Sequence, residues 1–153
     1  MSELGPGDPA PPFAATSTEG KTMTLADFAG RYLVLYFFPK AFTPGCTKEA
    51  RRFRDNHEEI EELGGVVIGV SVDDVGVQCD FARENHLSFP LIADSDEKMS
   101  KAYRVTRGFL PFNKRITFIV DGSGMIVARF HHEVQVLKHI DDVIAFLKAV
   151  PKR

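Results

Sequence analysis

Cysteine is scarce in this chain of 153 residues, which holds two, Cys46 and Cys79. That is too few for the disulfide framework that staples small secreted domains. A reducing, cytoplasmic setting is therefore expected, where sulfur is read for reactivity before structure. No run of 18 apolar residues occurs, and Met1-Ser2-Glu3-Leu4-Gly5-Pro6-Gly7-Asp8 has no basic segment leading into an apolar one. Neither a membrane span nor a secretory signal is expected. Charge of one sign is not in excess, the formal net charge being −2. The overall basic field that nucleic acid or an anionic membrane would require is missing. Internal repeats and low-complexity tracts are absent too, and the length suits a single domain over residues 1–153 that buries its own core.

What is present is an abrupt junction. Tyr32-Leu33-Val34-Leu35-Tyr36-Phe37-Phe38 is an unbroken apolar run rich in aromatic and branched residues, the pattern of a strand buried on both faces. Pro39 ends it. Pro39-Lys40-Ala41-Phe42-Thr43-Pro44-Gly45-Cys46 then leads into a helix. Thr43 or its neighbour caps that helix, and Pro44 sits in the first turn, where its missing N–H would have been unpaired anyway. Cys46 falls in the same turn, where unpaired backbone N–H groups and the positive helix end favour thiolate over thiol. A free cysteine titrates near ~8.5, and lowering that by roughly 2.5 units takes about 3.4 kcal/mol. The helix end supplies only ~0.3–1 kcal/mol. A fixed cation giving charge-assisted hydrogen bonds of ~1.5–3 kcal/mol is thus predicted beside the sulfur, preferably an arginine, which keeps its charge when partly buried.

The rest of the chain reads as an open α/β sheet covered on both faces. Residues 1–12 form a breaker-rich arm, residues 13–18 and 21–24 a small hairpin, and Thr24 with Asp27 caps a short helix. Over residues 43–63 a single helix is predicted, with Cys46, Ala50, Phe53, His57 and Ile60 on its inward face and Cys46 in a half-shielded pocket. Gly64-Gly65 stops it, and residues 66–72 form a second buried strand. Asp73 or Asp74 caps a helix reaching about Asn85, with Val75, Phe81 and Ala82 inward and Cys79 aboard. A strand at 89–93, a helix at 97–103 and a loop at 104–114 packed over a site follow. Strands at 115–120 and 125–130 flank the turn Asp121-Gly122-Ser123-Gly124, and an amphipathic helix fills 136–150.

Pro39, Thr43 and Cys46 match the Pro-x-x-x-Thr-x-x-Cys signature of peroxiredoxins. The longer string Phe38-Pro39-Lys40-Ala41-Phe42-Thr43-Pro44-Gly45-Cys46-Thr47-Lys48-Glu49-Ala50 resembles the peroxiredoxin Q, or bacterioferritin comigratory protein, branch. Similar strings follow in order at Phe53-Arg54-Asp55, Gly69-Val70-Ser71-Val72-Asp73, Phe89-Pro90-Leu91-Ile92-Ala93-Asp94 and Arg115-Ile116-Thr117-Phe118-Ile119-Val120-Asp121. The resemblance implies a thioredoxin-like fold of the α/β class, a central mixed β-sheet flanked by helices with an N-terminal β-hairpin. It also implies a thiol peroxidase with no metal or organic cofactor, acting on hydrogen peroxide or organic hydroperoxides and drawing electrons from thioredoxin or a similar thiol. A monomer or weak dimer is expected by the same analogy. In this reading Cys46 attacks the O–O bond, Thr43 orients the peroxide, the N–H groups of Gly45 and Cys46 meet developing charge, and Pro39 excludes water. Arg115 stands where the family has its active-site arginine and is preferred as the cation over Arg51, Arg52 and Lys40. Glu49 matches a family glutamate that could anchor it, an exposed helix glutamate being the alternative. Phe42, Phe109 and Phe112 are candidates to line a pocket for apolar hydroperoxides, core packing being the alternative for each.

The sulfenic acid left on Cys46 must be recycled by a thiol. Many members of the branch carry a resolving cysteine five positions on, where this chain has Arg51. Others place it just after the phenylalanine that matches Phe81; here that residue is Ala82, and Cys79 stands about one turn earlier. The resemblance thus leads to a Cys46–Cys79 disulfide, which requires Cα atoms within about 7 Å and an unravelled first helical turn. A one-cysteine enzyme served by an external thiol is the competing expectation, and a non-catalytic peroxide sensor would use the same Cys46. A thiol–disulfide oxidoreductase is disfavoured, because the residue three after Cys46 is Glu49. His131-His132-Glu133 lacks a third metal ligand at suitable spacing, and Gly64-Gly65 lacks the Lys-Ser/Thr of a phosphate loop.

Overall fold

The computed structural model describes residues 3–108 and 110–150. β1 (Ala14–Thr16) and β2 (Thr22–Thr24) pair antiparallel as the expected hairpin, and a 3-10 turn follows at Leu25–Phe28. The carboxylate of Asp27 accepts the Thr24 N–H at 2.8 Å. Then come β3 (Tyr32–Phe37), α1 (Pro44–Asp55), α2 (His57–Glu62), β4 (Gly65–Ser71), α3 (Val75–Glu84), β5 (Leu91–Ala93) and α4 (Lys98–Ala102). β6 (Thr106–Arg107), β7 (Leu110–Asn113), β8 (Ile116–Val120), β9 (Ile126–His131) and α5 (Lys138–Ala149) complete the order. The main sheet runs β5-β4-β3-β8-β9, with β3, β4 and β5 parallel and β8 and β9 antiparallel to their neighbours.

The unbroken apolar run of β3 is explained by its place in the middle of this sheet. Tyr32, Val34, Tyr36 and Phe38 point into one core with Cys46, Phe53, Ile60, Phe81 and Ile140, while Leu33, Leu35 and Phe37 point into another with Phe28, Met99, Tyr103 and Phe118. Each large side chain fully buried in this way contributes roughly 1.5–3 kcal/mol. Tyr36 fits because Gly69 lies beneath it on β4; a Cβ there would come within 2.7 Å of the tyrosine ring. No helix among the described residues is long and apolar enough to cross a membrane.

Three local expectations change. The single helix over 43–63 is two, broken at Asn56, whose backbone leaves the helical region at φ −107° and ψ 9°. Its amide Nδ2 donates to the Arg52 carbonyl at 2.9 Å, competing with the helix for that acceptor. The loop over 104–114 is a short hairpin, β6 against β7. Val75 is 44% exposed at the first position of α3. Beside the expected Phe81, the buried position on that helix belongs to Gln78, whose Nε2 donates to Ser71 Oγ at 2.9 Å and to the Ile92 carbonyl at 3.0 Å.

Candidate active site

The parallel strands β3 and β4 end side by side, and the segment between β3 and α1 is pinned there. The Ala41 N–H donates to Asp73 Oδ2 at 2.7 Å, and that oxygen also accepts the Ser71 hydroxyl at 2.7 Å. Phe42 takes a positive φ of 66°, and its half-exposed ring stands edge-on to Phe81 at 5.3 Å. Thr43 occupies the N-cap of α1 with extended backbone, but its hydroxyl makes no cap bond; it donates to the Lys40 carbonyl at 2.8 Å. Its proton is thereby engaged while its oxygen keeps lone pairs for an incoming O–H. Pro44 opens α1, followed by Gly45 and Cys46. The first intrahelical bond begins at Thr47 N–H to the Thr43 carbonyl, 2.9 Å. Gly45 and Cys46 thus hold their N–H groups in the anion-favouring turn.

Cys46 is 1% exposed, more enclosed than the half-shielded pocket expected, and Pro39 is half-buried. The structure brings Arg115 to the sulfur. Arg115 lies one residue before β8, whose Ile116 pairs with Phe37, so its side chain starts where β3 hands over to the pinned segment. Its Nη1 donates to Cys46 Sγ at 3.4 Å and to Glu49 Oε1 at 2.8 Å. Gly45 leaves room for the guanidinium, since a Cβ there would lie 3.1 Å from Arg115 Nη2 and 3.5 Å from Val136 Cγ1. Arg51 and Arg52 are engaged elsewhere, with Asn85 Oδ1 and Asp141 Oδ1, both at 2.8 Å, and Lys40 is exposed.

Glu133, after β9, fixes the arginine from behind. Its Oε2 accepts the Arg115 N–H at 3.0 Å, its carbonyl accepts Arg115 Nε at 3.3 Å, and its other carboxylate oxygen pairs with Arg107 of the hairpin. Glu49 is fully buried, with Oε2 left without a hydrogen-bond partner among the described residues. His139 of α5 lies 3.9 Å from that oxygen through Nε2. The same nitrogen faces the His132 carbonyl at 2.9 Å, and Nδ1 faces Thr117 Oγ1 at 2.9 Å. A carbonyl only accepts, so the ring proton is assigned to Nε2, and Thr117 donates to Nδ1.

Burial pushes the Glu49 carboxyl up to about 8, outweighing the charge and hydrogen bond of Arg115, and Glu133 adds to the rise. Burial opposes the charge on Arg115, but Glu49 and Cys46 together carry its shift upward. Burial lowers His139 to about 4, leaving it neutral at pH 7. Burial also lifts the Tyr36 hydroxyl well above the usual tyrosine range, with Glu49 and Cys46 adding to the effect.

Other candidates lie apart from this cluster. Cys79 is half-buried on α3 with its Sγ 3.8 Å from the Thr18 carbonyl, in a cleft of about 400 Å³ lined also by Glu19, Ala82, Arg83, Leu87 and Phe89. Both cysteines are free thiols. Phe112 stacks under the Arg107 guanidinium at 5.7 Å, and Phe109 lies outside the described residues. His131 and His132 engage different carboxylates, Glu133 and Asp142, each at 2.6 Å, and no metal-binding cluster occurs among the described residues. Sequence reasoning missed His139, although it falls between Val136 and Val143 at the steps that mark the inward face of α5.

The AhpC/TSA family model matches residues 6–129. The chain is 36% identical over 153 residues to peroxiredoxin Bcp of Bacillus subtilis, covering 96% of this chain and 97% of that one. Among solved structures, peroxidoxin BcpB of Mycobacterium tuberculosis superposes with a TM-score of 0.91 at 31% identity, covering 98% of this chain and all 100% of that one. Bacterioferritin comigratory protein of Xanthomonas campestris, a structure described for its alkyl peroxide reduction activity, gives 0.82 at 33% identity over 90% of each chain. The fold is thioredoxin-like, and the chain belongs to the AhpC/TSA family of thiol peroxidases, among its Bcp and PrxQ peroxiredoxins.

Proposed function

We propose that this chain reduces hydrogen peroxide and alkyl hydroperoxides through a sulfenic acid on Cys46, in the cytoplasm, with thioredoxin or a similar dithiol as the electron source. The observation that carries the reading is the Arg115 guanidinium held 3.4 Å from a buried sulfur at a helix N-terminus. The thiolate attacks one peroxide oxygen; the O–O bond breaks and its electron pair leaves on the other oxygen. Arg115 and the first-turn N–H groups of Gly45 and Cys46 stabilise the charge that develops, while the Thr43 oxygen accepts the peroxide O–H. Pro39 shields the sulfur from water, and Phe42 at the mouth offers apolar contact to an alkyl group. The alkyl peroxide activity described for the X. campestris relative supports the wider substrate range.

Cys79 is the resolving cysteine in this proposal, condensing with the sulfenic acid to a disulfide after the first turn of α1 opens. The contact of Cys79 with the Thr18 carbonyl favours a second reading, in which an external thiol attacks Cys46 directly. Peroxide consumption with excess thioredoxin system tests the function. Many equivalents should be consumed per chain, with none consumed by Cys46→Ser. Consumption that stops near one equivalent would overturn catalysis and leave a sensor.

A further inference from the structure

Arg115 Nη1 is the meeting point of two groups that can each carry a negative charge. It lies 3.4 Å from Cys46 Sγ and 2.8 Å from Glu49 Oε1. Both partners are buried, at 1% and 0% exposure. Were both anions, one guanidinium would face two buried negative charges, and Glu49 Oε2 would be an anionic oxygen with no hydrogen bond. The other groups facing Glu49 do not supply the missing positive charge. From α5, His139 stands 3.9 Å away and is neutral at pH 7. From β3 comes the Tyr36 hydroxyl, itself without a partner among the described residues, and from the segment after β9 comes the carboxylate of Glu133, which adds negative charge.

We propose that Glu49 is the proton store of the peroxidatic site, a neutral carboxylic acid while Cys46 is a thiolate and a carboxylate once the sulfur has been oxidised. The proposal rests on the peroxidase reading of Cys46. The short Arg115–Glu49 contact suits both states, because the carbonyl oxygen of a neutral carboxyl accepts from a guanidinium as a carboxylate does. The upward push that burial gives the carboxyl acts in the same direction. In balance, Cys46–S⁻, Glu49–COOH and ROOH become Cys46–SOH, Glu49–COO⁻ and ROH. The sulfur gives an electron pair to one peroxide oxygen, which keeps its hydrogen. The O–O pair leaves on the other oxygen, which takes a proton from the Arg115 guanidinium as Glu49 returns one to it. Arg115 stays charged throughout, matched first by the thiolate and then by the carboxylate, so the trio is neutral before and after. Glu49 acts through Arg115 without touching the peroxide, and is in that sense a positioning residue that also holds a proton.

Infrared difference spectroscopy of the full chain, reduced against oxidised by one equivalent of hydrogen peroxide, reads this directly. Cys79→Ser holds the sulfenic acid, and glutamate labelled with carbon-13 at the side-chain carboxyl identifies the bands. The expected result is loss of a protonated-carboxyl C=O band and gain of carboxylate bands on oxidation. Both should shift with the label and be missing from Glu49→Gln. Near neutral pH, a dye indicator should also report proton uptake from solvent in Glu49→Gln and none in the chain that keeps Glu49. Carboxylate bands of equal intensity in both redox states, with Cys46 sulfenic acid confirmed by mass, would overturn the proposal alone. Absence of that sulfenic acid would overturn the peroxidase reading and this proposal with it. If Glu49→Gln does not fold, the labelled bands of the Cys79→Ser chain decide the matter by themselves.

Discussion

Replacing Arg115 by methionine separates what the guanidinium does for the sulfur from what it does for the fold. The Nη1 contact with Cys46 at 3.4 Å is a charge-assisted hydrogen bond. If it acts at full strength in the transition state, its loss of ~1.5–3 kcal/mol lowers kcat/KM by roughly 10- to 150-fold. The same change strips Glu49 of its only cation among the described residues. Removing one partner of a buried ion pair costs ~3–5 kcal/mol when a charge is stranded. Here the carboxyl already lies at about 8 and stays protonated, so the charge is not stranded. The stability loss should then approach the ~1–3 kcal/mol of an unsatisfied polar group. Stopped-flow peroxide reduction and urea unfolding at pH 7 measure the two effects. Arg115→Lys keeps a charge but cannot reach the sulfur, Glu49 and the Glu133 carbonyl at once, so its rate should fall between the two. Adding Glu49→Gln to Arg115→Met should change stability little, one neutral polar group replacing another, and leave the rate low. Recovery of the wild-type rate in that double variant would refute the reasoning, because Arg115 would then serve only to satisfy Glu49.

Gly45→Ala sets a Cβ 3.1 Å from Arg115 Nη2 and forces the guanidinium aside. The rate should drop on the order of tenfold, since a misplacement of about 1 Å costs ~100-fold, while the unfolding midpoint stays put. Cys79→Ser should lose thioredoxin-driven turnover and accumulate sulfenic acid on Cys46; unchanged turnover would sink the resolving role and favour the external thiol. Stability should also depend on pH in two opposed ways. Glu49 is raised from 4.5 to about 8, so the native state binds more protons there and stability falls as pH rises across that window. His139 is lowered from 6.5 to about 4, so the unfolded state binds more and stability rises with pH across its window. Urea midpoints above pH 6.5 should thus decline in Cys46→Ser, which removes the competing charge on sulfur, and flatten when Glu49→Gln is added; identical slopes would contradict the assignment.

The junction from Tyr32 to Cys46 was legible because its signals are local: an apolar run, a proline stop and a helix start within fifteen residues. Arg115 is 69 residues from Cys46, and it could be named because the need for a cation coincides with the position that the resemblance gives to the family's active-site arginine. Glu49 was ambiguous. Its burial is decided by Arg115 and His139, which arrive from β8 and α5, and helix periodicity alone does not tell a buried glutamate from one at the edge of the wet face. Asp73, Thr117 and Glu133 were out of reach for the same reason, as their hydrogen bonds span the fold. Val75 is exposed and Gln78 buried against the apolar pattern because pattern reading counts apolar side chains, whereas Gln78 is held inward by its amide nitrogen donating to Ser71 and Ile92. The break at Asn56 was hidden by an inward stripe that runs on from Phe53 to Ile60.

The most direct test is intact-protein and peptide mass spectrometry after a single equivalent of hydrogen peroxide at neutral pH, with a sulfenic-acid trap present. A trapped adduct on Cys46 within the first turnover, absent when Arg115 is methionine at the same exposure time, is the predicted result. An adduct on Cys79 instead, or equal labelling of Cys46 with and without the guanidinium, would contradict the account.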